Sequence, residues 1–280
     1  MADELAPPPP VASGPRGRPP DTPLRAVLVT LVVCAVCSAL VATAVVMLRP
    51  YQSANRERDR ERRIRDLVAS VPGIGDLLGA FGGSDIEARV VELETGRYAD
   101  EIDPGSFDAR EAERIPEQSI ALPSELDLAG IGRRATHATV YLVSQGRVLR
   151  MIVLPVHGAG YVSTLYGYLA LDADGSTIRG LSFFEHAETP GLGSEIENPR
   201  WLALFQGKSA RDESGAVRIR VARGRVDPAG PDAAYEVDGI SGATRTSQGV
   251  ANLLRFWLGP SGFGPYLERI AREGGPAPHG

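Results

Sequence analysis

One apolar segment without charge constrains this chain more than any other feature of its sequence. Residues 26–48 contain no charged side chain. A helix of that length rises about 34 Å, which is enough to cross a hydrocarbon core of about 30 Å. A cleaved signal peptide processed at Ala42–Ala44 is the alternative, but its apolar region is usually only about 7 to 15 residues long. The length therefore predicts a transmembrane helix over residues 26–48.

The segments on either side of this span differ in composition. Residues 1–25 are rich in proline and predict a disordered tail, because such a sequence buries too little apolar surface to fold. Residues 49–84 start with arginines interleaved with acids and end in a glycine-rich stretch, which predicts a juxtamembrane helix and a linker. The formal net charge of −5 argues against nucleic acid as a partner, because phosphate contacts need a basic face.

Cysteine and histidine usage gives no sign of a metal centre. Cys34 and Cys37 are the only cysteines, and inside an apolar span they behave as small hydrophobic side chains. The four histidines are scattered, without the spacing of metal ligands. We therefore expect no metal site.

From Asp85 onward the sequence predicts one α+β domain with antiparallel strands. Pairs of β-branched runs around tight turns are typical of hairpins. Helices are expected after Asn198, over Ser247–Leu258 and over residues 264–273. The predicted strands are Ile86–Glu94, Ala138–Gln145, Arg147–Val156, Thr164–Asp172, Ser176–His186, Val217–Arg223 and Ala234–Asp238.

A glycine-containing turn between the last predicted strand and the helix at Ser247 carries the most informative pattern. Residues 238–243 resemble a nucleophile elbow, but the final glycine of G-x-S-x-G is Ala243, which argues against a serine hydrolase. Several hydroxyls precede the helix, and the N–H groups of a helix start can bind a phosphate. From spacing alone, an ordinary N-cap is the simpler interpretation and a phosphate site the alternative.

Resemblance to a known family favours the phosphate site. The segment Ser241–Val250 reads SGATRTSQGV and resembles the flavinylation motif of the FMN-binding domain family, in which FMN is joined through its phosphate to the threonine of S-G-A-T. That threonine is Thr244 here. Pro155–Gly175, Glu185–Trp201 and Phe256–Leu267 also resemble the C-subunit family of sodium-translocating NADH:quinone reductases. The resemblance implies one transmembrane helix followed by a soluble α+β FMN-binding domain over residues 85–280.

The resemblance also implies which residues surround the FMN, and it implies no catalytic residue in this chain. The loop 188–193 would lie against the isoalloxazine ring, with Leu192 as an apolar contact and Thr189 as a hydrogen-bond partner. An ordinary glycine turn is the alternative for this loop, and core packing is the alternative for residues 163–166. The implied cofactor-binding residues are Ser163, Thr164, Tyr166, Glu188, Thr189, Gly191, Leu192, Gly193, Asp238, Ser241, Gly242, Ala243, Thr244 and Thr246.

The implied function is electron relay in a complex that couples NADH oxidation by quinone to sodium export. The implied partners are the other subunits, membrane lipid and a flavin transferase. The transferase is implied because a threonine hydroxyl is too weak an acid to lose its proton and attack a pyrophosphate unaided. The G subunit of the related Rnf-type complexes shares the flavinylation motif and is one alternative. A membrane-anchored scaffold domain without a cofactor is another.

Two arguments about orientation disagree. More arginines follow the span than precede it, and the positive-inside rule would then place the domain in the cytoplasm. The resemblance implies a single-pass protein of the cell inner membrane with a periplasmic FMN domain and a cytoplasmic N-terminal tail. We follow the resemblance, because a large domain translocates largely regardless of flanking charge.

Overall fold

The computed structural model describes residues 27–38 and 85–273 of the chain. Residues 27–38 form a helix, α1. No helix within these two ranges is long and apolar enough to cross a membrane. The span predicted over residues 26–48 is therefore described over only part of its length. The predicted tail at residues 1–25 and the predicted juxtamembrane segment at 49–84 lie outside the described residues.

Residues 85–273 form an α+β domain built on a five-stranded sheet. Its spatial order is β1-β4-β5-β6-β7, and every neighbouring pair is antiparallel. The predicted α+β class with antiparallel strands is therefore confirmed. In chain order the strands are β1 (Asp85–Glu92), β2 (Ser119–Ala121), β3 (Arg133–Ala135), β4 (His137–Gln145), β5 (Val148–Ala159), β6 (Thr164–Asp172), β7 (Ile178–Glu185), β8 (Arg220–Val221) and β9 (Glu236–Val237).

The central strands are apolar on both faces. Along β5, Ile152 and Leu154 point into the larger core, while Met151 and Val153 point into a smaller cluster on the opposite face. This division follows from the alternation of side chains along a strand. The larger core also takes up the apolar sides of the two C-terminal helices, so those helices are fixed against one face of the sheet.

Four helices belong to the described part of the domain: α2 (Ala109–Ala112), α3 (Pro199–Leu202), α4 (Thr244–Leu258) and α5 (Gly264–Glu273). Helix α4 lies so close to the end of β5 that a Cβ at Gly249 would come within 2.5 Å of the Ala159 carbonyl oxygen. Glycine at this position lets the backbones approach. Helix α4 is thereby held where β5 gives way to the loop that leads into β6.

The helix predicted after Asn198 begins as expected but is shorter than its sequence suggests. The Asn198 side chain accepts a hydrogen bond from the Arg200 N–H at 3.0 Å, and Pro199 takes the first helical position. After Leu202 the chain continues as a 3-10 turn, Ala203–Phe205. The apolar side chains Trp201 and Phe205 are both buried, so packing rather than helix length accounts for the pattern.

Two predicted strands are largely wrong. The segments Val217–Arg223 and Ala234–Asp238 form only the two-residue parallel pair of β8 and β9. The N–H groups of Arg218 and Ile219 donate instead to the Ala210 carbonyl, at 2.9 and 3.2 Å. Those two N–H groups are therefore hydrogen-bonded outside a sheet, and β8 cannot extend toward them. The short β2–β3 hairpin was not predicted at all.

Candidate functional site

The S-G-A-T motif lies at the start of α4. This helix begins at Thr244, three residues before the predicted start at Ser247. Ala243 is its N-cap residue, and none of the described side chains caps the helix with a hydrogen bond. The first N–H groups of a helix lack intrahelical partners and carry the positive end of the helix dipole. The chain therefore presents polarised N–H groups beside the exposed Thr244 side chain.

The hydroxyl cluster around this helix start divides into two pairs. Ser241 and Thr244 are exposed, whereas Thr246 and Ser247 are buried. The Ser247 hydroxyl accepts a hydrogen bond from the Ile240 N–H at 3.1 Å and so closes the turn. Only the outer pair is accessible to a large ligand or to a modifying enzyme.

Asp238 supports the chain that leads into this turn. Its carboxylate accepts a hydrogen bond from the Val226 N–H at 2.8 Å, and its backbone carbonyl accepts one from Trp201 Nε1 at 2.8 Å. The Asp238 side chain is thus engaged by the neighbouring loop. Further along the turn, Gly242 adopts φ +76°, a conformation that favours glycine.

Glu188 is the buried acid of the site, with 4% of its surface exposed. Its Oε1 atom accepts hydrogen bonds from three consecutive backbone N–H groups, those of Tyr161 at 3.0 Å, Val162 at 2.8 Å and Ser163 at 3.2 Å. Its Oε2 atom accepts one from the Thr246 hydroxyl at 2.6 Å. One carboxylate therefore joins the β5–β6 loop to the first turn of α4.

These hydrogen bonds decide the charge state of Glu188. Burial alone raises the pKa of this carboxyl, but the hydrogen bonds from Thr246 and from the three backbone N–H groups bring the pKa below its ordinary value. The carboxylate is therefore ionised at neutral pH. Two glycines leave room for it, because a Cβ at Gly160 would come within 2.5 Å of Oε1 and a Cβ at Gly193 within 2.6 Å of Oε2.

The loop after Glu188 reaches the S-G-A-T motif. Leu192 is 45% exposed, and a Cβ at Gly242 would lie 3.1 Å from its Cδ2 atom. The loop is a hydrogen-bonded turn, in which the Thr189 carbonyl accepts from the Leu192 and Ser194 N–H groups at 3.1 and 3.2 Å. Thr189 and Gly191 are exposed, and Gly191 has φ +74°. The structure thus brings together the predicted loop 188–193 and the predicted motif.

The third predicted group is only partly assembled with the other two. The Ser163 hydroxyl accepts a hydrogen bond from the Ala187 N–H at 2.7 Å, which ties it to the chain before Glu188. Thr164 is exposed. The Tyr166 ring stacks on His157 at 5.4 Å between centroids, and the Arg110 guanidinium lies 3.6 Å from the Tyr166 ring centroid. The described contacts of Tyr166 are thus with a different set of side chains.

Two residues of this region escaped the sequence analysis. Tyr161 and Val162 are 58% and 56% exposed, and the Arg245 guanidinium lies 5.1 Å from the Tyr161 ring centroid. Large apolar side chains directly after Gly160 were the available signal, because they interrupt a loop of small and polar residues. We call the three exposed apolar side chains of this region, Tyr161, Val162 and Leu192, the apolar rim.

The part of the chain that holds these features matches a family of flavoproteins. The model of the FMN-binding domain family matches residues 160–259. That range contains the β5–β6 loop, the loop 188–193 and helix α4 with its S-G-A-T motif. It begins at Gly160, directly before the first residue of the apolar rim.

Relatives and solved structures extend the match to most of the chain. The C subunit of the Na(+)-translocating NADH-quinone reductase of Pseudomonas aeruginosa is 44% identical over 254 residues, which cover 90% of this chain and 97% of that protein. The corresponding C subunit of Yersinia pestis is 40% identical, with coverages of 89% and 93%. The crystal structure of Shewanella oneidensis NqrC is 31% identical with a TM-score of 0.68 and coverages of 78% and 99%. As the resemblance predicted, the chain belongs to the C-subunit family of Na(+)-translocating NADH-quinone reductases.

Proposed function

We propose that this chain carries FMN as a phosphoester on Thr244 and works as the electron-relay subunit of a sodium-translocating NADH:quinone reductase. The observation that carries the proposal is the exposed Thr244 side chain on the first residue of α4, at the end of S-G-A-T and inside the range matched by the FMN-binding family. When bound, FMN would supply reversible transfer of one or two electrons. The protein's own residues would bind and orient the FMN.

The residues around Thr244 suit a phosphate ester with an aromatic ring. The N–H groups of the first turn and the helix dipole stabilise negative charge, and Arg245, whose guanidinium lies over the Tyr161 ring, adds a cation in the same turn. The apolar rim of Tyr161, Val162 and Leu192 offers exposed surface that a flavin ring would cover. Removing such surface from water is favourable by about 25 cal/mol per Å², before the cost of ordering the ligand. The site therefore suits both the phosphate and the isoalloxazine ring of FMN.

Attachment requires a second protein. The motif Ser241–Val250 contains no His, Asp or Glu to take the Thr244 proton, and an unactivated hydroxyl is a weak nucleophile. We propose a flavin transferase with FAD as donor. The Thr244 oxygen then forms a bond to the phosphorus on the FMN side, the pyrophosphate bond breaks, AMP leaves, and the hydroxyl proton passes to a base of the transferase.

The attachment site is tested by mass spectrometry of the full chain after coexpression with a flavin transferase. We expect the mass of one FMN group on the tryptic peptide Val226–Arg245, which ends one residue after Thr244. Thr244→Val should abolish this label with no change in melting temperature, because the side chain is exposed. Thr244→Ser keeps a hydroxyl and should retain part of the label.

The neighbouring exposed hydroxyl supplies the matched control. Ser241→Ala removes a hydroxyl from the same turn but leaves Thr244 in place, so the label should persist on Val226–Arg245. Trypsin separates Thr244 from Thr246, which falls on the next peptide. Label found on that next peptide, or a labelled Thr244→Val variant, would contradict the proposal.

The proposal includes a topology. Residues 26–48 anchor the chain in the cell inner membrane as a single span, with residues 1–25 as a cytoplasmic tail, 49–84 as a juxtamembrane helix and linker, and 85–280 as a periplasmic FMN-binding domain. Its support is the run without charge, whose length suits a bilayer, together with the family of the chain. The other subunits, membrane lipid and the transferase are its partners.

A further inference from the structure

Glu188 is a buried, ionised side chain that the proposed chemistry does not use. It connects two separate parts of the site, because Oε1 binds the N–H groups of residues 161–163 and Oε2 binds the Thr246 hydroxyl. We infer that Glu188 and Thr246 form a clamp that positions Thr244 and the apolar rim for flavin attachment, without contact between Glu188 and the flavin. The inference rests on the proposed attachment of FMN to Thr244.

The helical geometry explains how the clamp acts on Thr244. Successive residues of an α-helix are about 100° apart around its axis, so residues two positions apart point about 200° away from each other. When Glu188 holds the Thr246 hydroxyl inside the protein, Thr244 must point outward. The hydrogen bond of 2.6 Å between Thr246 and Glu188 therefore fixes the rotation of the first turn of α4 that exposes the acceptor hydroxyl.

The other oxygen of Glu188 fixes the two residues of the apolar rim that lie in the β5–β6 loop, Tyr161 and Val162. Three consecutive N–H groups converge on Oε1, which bends the β5–β6 loop around the carboxylate. The backbone of Tyr161 and Val162 faces inward as a result, and their side chains are exposed. A charged acceptor makes each of these hydrogen bonds stronger than a neutral one would. Loss of the charge should therefore loosen the loop and the helix start together.

Asp174 provides a comparison within the same domain. Its Oδ1 atom accepts from the Ser176 and Thr177 N–H groups, both at 2.8 Å, and its Oδ2 atom accepts from the Thr177 hydroxyl at 2.6 Å. As at Glu188, the donors are backbone N–H groups and a threonine hydroxyl, but Asp174 is exposed and every partner lies in the β6–β7 turn. Asp174 stabilises one turn, whereas Glu188 joins the β5–β6 loop to the first turn of α4, which is distant in sequence. Asp174→Asn therefore controls for the loss of such hydrogen bonds within a single exposed turn.

The test compares rates of flavin attachment in the purified full-length protein with a flavin transferase and FAD. Glu188→Gln keeps the size of the side chain, and Thr246→Val keeps its shape. We expect each to slow attachment by roughly ten- to a hundred-fold, because a small displacement of a reacting group costs that much in rate. Thr246→Ser should restore most of the rate. The double variant should be no slower than the slower single variant, because both changes break one connection.

Stability is separated from positioning in the same experiment. All rates are measured at a temperature at which circular dichroism shows each variant to be folded. Asp174→Asn is the matched control and should attach FMN at the wild-type rate. Attachment at the wild-type rate in Glu188→Gln, or an equal loss in Asp174→Asn, would overturn the clamp. If Glu188→Gln does not fold, Thr246→Val and Thr246→Ser decide the question in the same way.

Hydrogen exchange gives a readout without flavin. In the unlabelled protein, Thr246→Val should speed exchange at the amides of residues 161–163, although it alters a different part of the chain, and Asp174→Asn should leave those amides unchanged. Normal protection there in Thr246→Val would contradict the clamp. Absence of label on wild-type Thr244 would instead overturn the proposed function, and with it the role of the clamp in attachment. If the wild type is labelled and the clamp variants are labelled at the same rate, the clamp alone is overturned.

Discussion

Leu192 is a large apolar side chain whose position favours a role toward a ligand rather than in the fold. It is 45% exposed and close to Gly242, although a solvent-exposed leucine adds little to the stability of a folded domain. Its place beside the S-G-A-T motif favours a role in covering the flavin ring. A change at Leu192 should then alter the flavin and leave the fold intact.

We expect Leu192→Ala to retain covalent FMN and to change the free energy of unfolding by less than about 0.5 kcal/mol, as is usual for surface substitutions. The reduction potential of the bound FMN should shift, because packing against the ring controls its access to water. Spectroelectrochemical titration and thermal unfolding measure the two effects. Leu204→Ala is the control, since Leu204 is 38% exposed in the 3-10 turn after α3. Equal potentials in wild type and Leu192→Ala would contradict the contact.

Individual site residues were predictable to different degrees. Thr244 is singled out by the resemblance, because the family joins FMN to the threonine of S-G-A-T, and its role here stays a prediction. The division between exposed Thr244 and buried Thr246 could not be predicted, because it depends on the position at which α4 begins, and the predicted start was Ser247. Glu188 was predicted as part of a polar loop against the flavin. Its four partners come from segments that meet only in the folded domain.

Among the elements, α5 closes the domain against the segment that follows β1. The Tyr98 and Tyr266 rings pack edge to face with centroids 5.8 Å apart, and their hydroxyls lie 3.1 Å apart. Burial, with the neighbouring Tyr98, raises the pKa of the Tyr266 hydroxyl well above its ordinary value of 10.0. The docking of α5 therefore requires a neutral Tyr266.

This requirement predicts a loss of stability in alkaline solution. Above pH 10 Tyr266 loses its proton in the unfolded chain but keeps it in the folded one, so the folded state binds more protons and the free energy of unfolding falls as the pH rises. Tyr266→Phe removes this proton and should flatten the decline. At neutral pH the variant should lose about 0.5 to 1.5 kcal/mol with the hydrogen bond to Tyr98. Urea unfolding between pH 7 and 11 measures both effects, and parallel curves would refute the prediction.

The sheet was more predictable than the connections between its strands. Strands β4 to β7 lie within two or three residues of their predicted bounds, because alternating apolar runs and tight turns are local properties of the sequence. The segment at residues 217–223 has the same kind of pattern, yet the N–H groups of Arg218 and Ile219 bind the Ala210 carbonyl instead of a partner strand. The β2–β3 hairpin has only three residues in each strand, too few for a periodic signal.

For the whole molecule, the orientation of the chain is the prediction with the clearest outcome. Alkaline phosphatase is active only after export, so a fusion after Gly280 should be active if the domain is periplasmic. A β-galactosidase fusion at the same residue is the complementary control and should be inactive. A stable but inactive phosphatase fusion, with an active β-galactosidase fusion, would show that the arginines after residue 48 decide the orientation.

The hydrogen bond that joins the two ends of the domain also sets the earliest time during synthesis at which the domain can be completed. Arg269 Nε donates to the Gly96 carbonyl at 2.8 Å across 173 residues of chain, so this bond cannot form until residue 269 has been synthesised. At a synthesis rate of about 5 to 20 residues per second, that separation alone takes roughly 9 to 35 seconds. Contacts between such distant residues also slow the folding step itself. The start of α4 is therefore synthesised before α5 can bind the segment after β1, and the complete domain is a late product of synthesis.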